Sequence, residues 1–311
     1  MDNQMLLVSP APHFRKKRTT QTIMLDVIIA LMPSLIASVI IFGVRALLVV
    51  SACVLTCVLC ELLFEVLCKR EVTIKDLSAV VTGILLGFNL PCTIPIWQAV
   101  FGSVVAIVVV KQLFGGIGKN FANPAITARI VMTVSFASTM TSFNKIDGVS
   151  TATPLTELGD DNILDLFLGN HSGSLGETCA LAIIIGGVYL LCRRIITWHI
   201  PFTFIGTVAL LGAIAGYNAL EYILCGGLML GAFFMATDYS TSPSTPWGKV
   251  IFGIGCGVIT FLIRQFGGYP EGVSFAILIM NILTPYISLL TRKVPFGVKR
   301  LKSHKSGGKI K

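Results

Sequence analysis

One short run places hydroxyls, an acid and a proline close enough to do chemistry together: Asp147-Gly148-Val149-Ser150-Thr151-Ala152-Thr153-Pro154-Leu155. The same residues also spell a turn that opens a helix, with hydroxyl caps, Pro154 at the first helical position and Glu157 in the first turn. A threonine hydroxyl with no base beside it is a poor nucleophile, so catalysis is not expected here. The chemistry open to the run is to accept a covalent modification. No hydrolase triad, phosphate-binding loop or zinc spacing accompanies it. His13, His171, His199 and His304 are scattered, none with a metal partner one helical turn away. Cys53, Cys57 and Cys60 share one helical face. They fit buried packing residues, with an intramembrane metal site as the alternative.

A second set consists of polar groups inside apolar stretches, where a charge is costly and often functional. Glu61 and Glu65 lie one helical turn apart, Asp26 sits near the start of the first apolar block, and Thr237-Asp238 ends another block. Asp26 and Glu65 are expected to reach the membrane interface. Asp238, with Thr237, suits a cavity as ligand to a cation or partner to a helix end, and equally suits a simple helix cap. Glu61 is a further candidate for an ion or cavity site. Asn120 and Asn123 suit either a cofactor edge or the backbone of a broken helix.

The elements that must hold these groups are membrane helices. The chain is 54% hydrophobic and only 13% charged, against about 25% charged for an ordinary soluble domain. Its mean hydropathy is +0.83. Charges crowd between apolar blocks of about 20 residues, the length that spans a bilayer core. The expected fold is therefore an all-α polytopic membrane protein of about ten helices, at roughly 22–43, 46–68, 76–90, 96–114, 122–141, 177–194, 199–217, 220–236, 247–266 and 273–291. The spans at 76–90 and 220–236 are short and interrupted, as expected of backbone that lines a cavity rather than meets lipid. The net charge of +9 sits in loops and tails beside apolar blocks. Membrane lipid, not nucleic acid, is its expected partner.

The two halves resemble each other. Pro91-Cys92-Thr93-Ile94-Pro95-Ile96-Trp97 matches Pro243-Ser244-Thr245-Pro246-Trp247, and Lys111-Gln112-Leu113-Phe114-Gly115-Gly116 matches Arg264-Gln265-Phe266-Gly267-Gly268, at an offset of about 150 residues. Five spans per unit is an odd count, so the second copy is inverted in the membrane. The organisation read from this is a tail at 1–21, a first five-helix repeat at 22–141, a connecting loop at 142–176, a second five-helix repeat at 177–291 and a basic tail at 292–311. Lysines and arginines concentrate in alternate loops and in both tails, which places both termini in the cytoplasm and the acidic loop at 142–176 on the outer face.

Three segments carry a family resemblance that spans essentially the whole chain. Asp147-x-x-Ser150-Thr151-Ala152-Thr153 resembles the acceptor motif for covalent flavinylation, with Thr151 where glycine is usual. Phe114-Gly-Gly-Ile-Gly-Lys-Asn120-Phe-Ala-Asn123-Pro124 and Met235-Ala-Thr-Asp238-Tyr-Ser-Thr-Ser-Pro243 resemble the D subunit of the Rnf ion-translocating electron transport complex. They are similar as well to the B subunit of the sodium-pumping NADH:quinone reductase. The resemblance implies FMN joined through its phosphate to Thr153 by a flavin transferase. It also implies a neighbourhood of Asp147, Ser150, Thr151 and Pro154, and room for a second, non-covalent flavin such as riboflavin. It further implies assembly with the other subunits of an Rnf-type complex in the bacterial cytoplasmic membrane. That complex passes electrons between ferredoxin and NAD⁺ and moves Na⁺ or H⁺. The competing expectations are a non-redox inverted-repeat channel or transporter for a small solute, and a membrane scaffold.

Overall fold

In the computed structural model the described residues are 19–144, 150–151, 163–169, 173–267 and 272–292. Asp147, Thr153 and Pro154 lie outside them. Ser150 and Thr151 are described by their backbone alone.

Among the described residues the regular elements are helices, except for one two-residue ladder. Two long helices open the first half, α1 (Thr20–Phe42) and α2 (Val44–Leu67), followed by α3 (Ser78–Phe88). Next come α4 (Ile96–Val104), prolonged by a π-helical stretch at Val105–Gln112, and α5 (Pro124–Ser135). The single turn α6 (Ala137–Met140) leads to β1 (Phe143–Asn144), which pairs antiparallel with β2 (Ser150–Thr151), and α7 (Ile163–Leu168) follows. The second half holds α8 (Ala180–Cys192), α9 (His199–Ile214), α10 (Ala219–Leu224) and α11 (Leu228–Leu230) with a π-helical continuation at Gly231–Met235. It ends with α12 (Pro246–Phe266) and α13 (Val273–Thr291).

α1, α2, α12 and α13 are long and apolar enough to cross a membrane by length and composition. The shorter apolar helices complete a multi-pass membrane protein. An α-helix rises about 1.5 Å per residue. The 11 residues of α3 therefore fall well short of the hydrocarbon thickness, and their flanking backbone must be covered by protein. Nearly all of α3 is buried, as are Gly231–Met235. Local chemistry sets the helix starts. Asn123 and Thr245 cap α5 and α12 with their side chains, and each is followed by proline.

Packing in the two halves follows one plan. α2 lies on α3 and α4, and α9 lies on α10 and α12; α1 meets α8, and α5 meets α13. Small residues set the closest approaches. A Cβ on Gly83 would stand 2.6 Å from the Cα of Val54, so α2 and α3 pack backbone to backbone.

The observed elements correct the sequence reading in three places. The eighth span is broken inside, at Cys225–Gly227, where Gly226 takes φ +70°, a conformation that favours glycine. The fifth span stops at Ser135, because Phe136 leaves helical geometry. The sixth span starts at Ala180 rather than near 177, because residues 173–178 form a buried, irregular strap. The two acids expected near the membrane interface, Asp26 and Glu65, are each held by protein partners. Asp26 is buried and receives Arg193 Nη2 at 3.0 Å and the Tyr189 hydroxyl at 3.1 Å. Glu65 is buried and accepts the backbone N–H and hydroxyl of Thr73. Of the α2 cysteines, Cys53 and Cys57 are buried in apolar packing and Cys60 is partly buried.

Candidate functional site

The interrupted spans frame a cavity of about 460 Å³ between the two halves. Its apolar wall comes from α1 and α3, through residues such as Met24, Val27 and Leu85. Its polar wall gathers Ser78, Thr82, Lys111, Asn120, Asn123, Thr237 and Asp238. Four residues singled out in the sequence, scattered from 120 to 238, thus meet around one space.

Each is positioned by its own element. Asn123 caps α5, with Oδ1 accepting from the N–H of Ala125 at 3.0 Å. Its Nδ2 donates across to the Met235 carbonyl of the other half at 3.3 Å. Asp238 follows the π-helical stretch; its carboxylate accepts from Ser240 Oγ at 3.0 Å and Thr241 Oγ1 at 3.2 Å. It is therefore both a cavity group and the cap of its turn. Thr237 returns its hydroxyl to the Phe233 carbonyl at 2.7 Å. Asn120 differs from these, because its Oδ1 is buried with no partner. A buried acceptor left unmade is costly; this one has no partner among the described residues, and water or a bound molecule could supply the donor.

Glu61 does not line the cavity. It lies behind the wall and pairs with Lys111, which does line it. Lys111 Nζ stands 2.6 Å from Glu61 Oε1 and 2.7 Å from Ser78 Oγ, while Gln112 Nε2 donates to the same Glu61 oxygen at 2.9 Å. Both charged side chains are nearly fully buried, at 2% and 1% exposure. The ammonium thereby ties the fourth span to the start of the interrupted third span. The matching residue of the second half does the same. Arg264 donates to the carbonyls of Tyr222 at 2.7 Å and Cys225 at 2.9 Å, beside the break in the eighth span. The repeat motif thus encodes a cation that anchors each broken helix.

Sequence reasoning missed a second buried cluster. Arg129 Nη1 lies 2.6 Å from Asn89 Oδ1 and 3.0 Å from Glu177 Oε1, and Nη2 lies 3.4 Å from Ser174 Oγ. An arginine in the middle of an apolar span is the signal that would have found it.

Among known proteins, the profile of the NQR2, RnfD, RnfE family matches residues 7–297. The chain is 47% identical, over 97% of its length and 98% of the relative's, to the D subunit of the Na(+)-translocating ferredoxin:NAD(+) oxidoreductase complex of Acetobacterium woodii. It is 39% identical to the D subunit of the proton-translocating ferredoxin:NAD(+) oxidoreductase complex of Clostridium ljungdahlii, over 94% of this chain and 96% of that one. It is 34% identical to the D subunit of the ion-translocating oxidoreductase complex of Escherichia coli O7:K1, over 94% and 99%.

Proposed function

The chain belongs to the NQR2, RnfD, RnfE family, and from that premise we propose that it is the flavin-bearing membrane subunit of an ion-translocating ferredoxin:NAD⁺ oxidoreductase. The observation that carries this reading is Asp147-x-x-Ser150-Thr151-Ala152-Thr153 in a chain so similar, end to end, to the D subunits of such complexes. In it, Thr153 holds FMN through a phosphoester made by a flavin transferase. The partner subunits supply the ferredoxin and NAD⁺ sites, and the complex moves Na⁺ or H⁺. The lysine and arginine bias puts both termini in the cytoplasm and the flavin loop outside. The short β1–β2 ladder supports the reading, because it tethers Ser150 and Thr151 beside Phe143 and Asn144 at the head of the motif.

The cavity takes the second, non-covalent flavin. Its volume suits a ring system of that size, within the roughly 300–1,000 Å³ of small-molecule sites. The unpartnered Asn120 Oδ1 meets a ring N–H, and apolar α1 and α3 cover the ring face. Asp238 is an acid, and the one cation among the described lining residues, Lys111, is paired with Glu61. A phosphate would be repelled there, so an unphosphorylated flavin such as riboflavin is favoured. A bound flavin supplies one- and two-electron chemistry; the chain supplies position, an apolar enclosure and hydrogen bonds at the ring edge.

The test is denaturing gel fluorescence of the chain made with the flavin transferase present. A fluorescent band that vanishes in Thr153→Val is expected. A dark wild-type band from cells that carry the transferase would overturn the covalent reading. Acid precipitation of the complex should release a second, unphosphorylated flavin into the supernatant.

A further inference from the structure

The near-repeat of the two halves raises a question about the second half. The cavity between the halves is lined by Ser78, Lys111 and Asn123 of the first half, together with Asp238 from the end of the second half's broken span. The motif match carries Lys111 to Arg264, and a shift of 149 residues carries Ser78, Asn123 and Asp238 to Gly227, Gly272 and Asn89. A second cavity would be expected there, reached from the opposite side. The chain fills that place itself.

The filling is the strap at residues 173–178, six successive buried residues with no helix. Buried irregular backbone must have its polar groups satisfied. The N–H of Leu175 donates to the Leu90 carbonyl at 3.1 Å and that of Gly176 to the Phe88 carbonyl at 2.9 Å, at and just past the end of α3. Glu177 occupies the counterpart site, where a Cβ on Gly227 would stand 2.5 Å from its Oε1. Arg129 latches the strap by holding Glu177, Ser174 and Asn89 together. The fit is tight, since a Cβ on Gly176 would stand 2.4 Å from the Cβ of Phe88.

A chain of polar contacts links the cavity wall to the strap. Asn123 Nδ2 donates to the Met235 carbonyl, and Asn89 Nδ2 lies 3.6 Å from Met235 Sδ while Asn89 Oδ1 receives Arg129. Arg129 carries that chain of contacts on to Glu177 and Ser174 of the strap. We propose that the strap at 173–178, latched by Arg129, is the ion seal of this subunit: it blocks passage between the cavity and the opposite face. A fixed guanidinium on such a route also repels cations, as arginines do in selective pores. The inference rests on the reading that the chain serves an ion-tight complex, but not on any flavin.

The test is passive ion leak in liposomes holding the assembled complex, with no electron donor present. An imposed Na⁺ or proton gradient should decay slowly with the wild type. Arg129→Gln combined with Glu177→Gln removes both charges and so avoids a lone buried ion. Gly176→Ala displaces the strap without touching a charge. Each should speed decay per assembled complex by at least about tenfold, the rise given by a barrier lowered by about 1.4 kcal/mol. Arg129→Lys, which keeps the charge, should leak less than the neutral pair. An assembled variant of either kind as tight as the wild type overturns the proposal. A measurement on the native complex stands beside these: the amides of Leu175 and Gly176 should exchange hydrogen as slowly as those in the middle of α3. Exchange as fast as in an exposed loop also overturns it. Because no turnover is involved, failure of the flavin reading would leave these outcomes unchanged.

Discussion

Replacing Lys111 by methionine should destabilise the chain by about 3–5 kcal/mol, the usual cost of stranding one member of a buried ion pair. The figure follows from what Glu61 keeps. It is 1% exposed, its Oε2 has no partner, and after the substitution its Oε1 retains only the Gln112 amide at 2.9 Å. Ser78 Oγ, at the start of the interrupted third span, loses its partner too. Glu61→Met alone should be costly for the same reason, because it strands the ammonium. Changing both residues to methionine removes both charges together. The double variant should then cost clearly less than the two single costs added, by about 2 kcal/mol or more, since only the uncharged Ser78 and Gln112 groups are left unsatisfied. The assay is reversible unfolding of the purified chain in mixed micelles titrated with SDS, run on all four proteins of the cycle. A loss of 3–5 kcal/mol is a large share of a total of about 5–15 kcal/mol. Costs that add within about 0.5 kcal/mol would mean that the two residues act independently, and would refute the ion pair as the anchor of the third span.

Other perturbations follow from the same geometry. Asn123→Ala removes both the cap of α5 and the bond to the Met235 carbonyl, so it should cost about 1–3 kcal/mol in the same unfolding assay. It should also lower the non-covalent flavin released on acid precipitation. Gly83→Ala sets a methyl 2.6 Å from the Val54 Cα. It should cost about 1–3 kcal/mol, because only backbone movement can relieve the overlap, and recovery of the folded chain by size-exclusion chromatography should fall with it.

Much of this fold was legible because the bilayer imposes simple rules. Apolar length placed the spans, and the starts it gave at 122 and 247 lie within two residues of the starts of α5 and α12. The repeat was legible because Lys111 and Arg264 recur in matching motifs, although their shared task of holding a broken helix emerged only from their contacts. Asn120, Asn123, Thr237 and Asp238 were found as polar groups in costly places, and the fold brings them together. Glu61, a candidate for an ion or cavity site, pairs with Lys111 behind the cavity wall, a placement that depends on how α2 and α4 cross. Arg129 and Glu177 went unnoticed because their pairing joins positions 48 residues apart through a strap with no periodic pattern. The interruption expected of the eighth span falls at Cys225-Gly226-Gly227 as well as at its end near Asp238, and apolar residues on both sides hid that position.

The most direct measurement is the mass of the chain purified from cells that carry the flavin transferase. It should exceed the sequence mass by FMN less one water, and fragmentation should place the addition on Thr153. The Thr153→Val chain should show the unmodified mass. A wild-type chain of unmodified mass, or an addition that persists after the substitution, would contradict the assignment of this chain as a flavin-bearing subunit through Thr153.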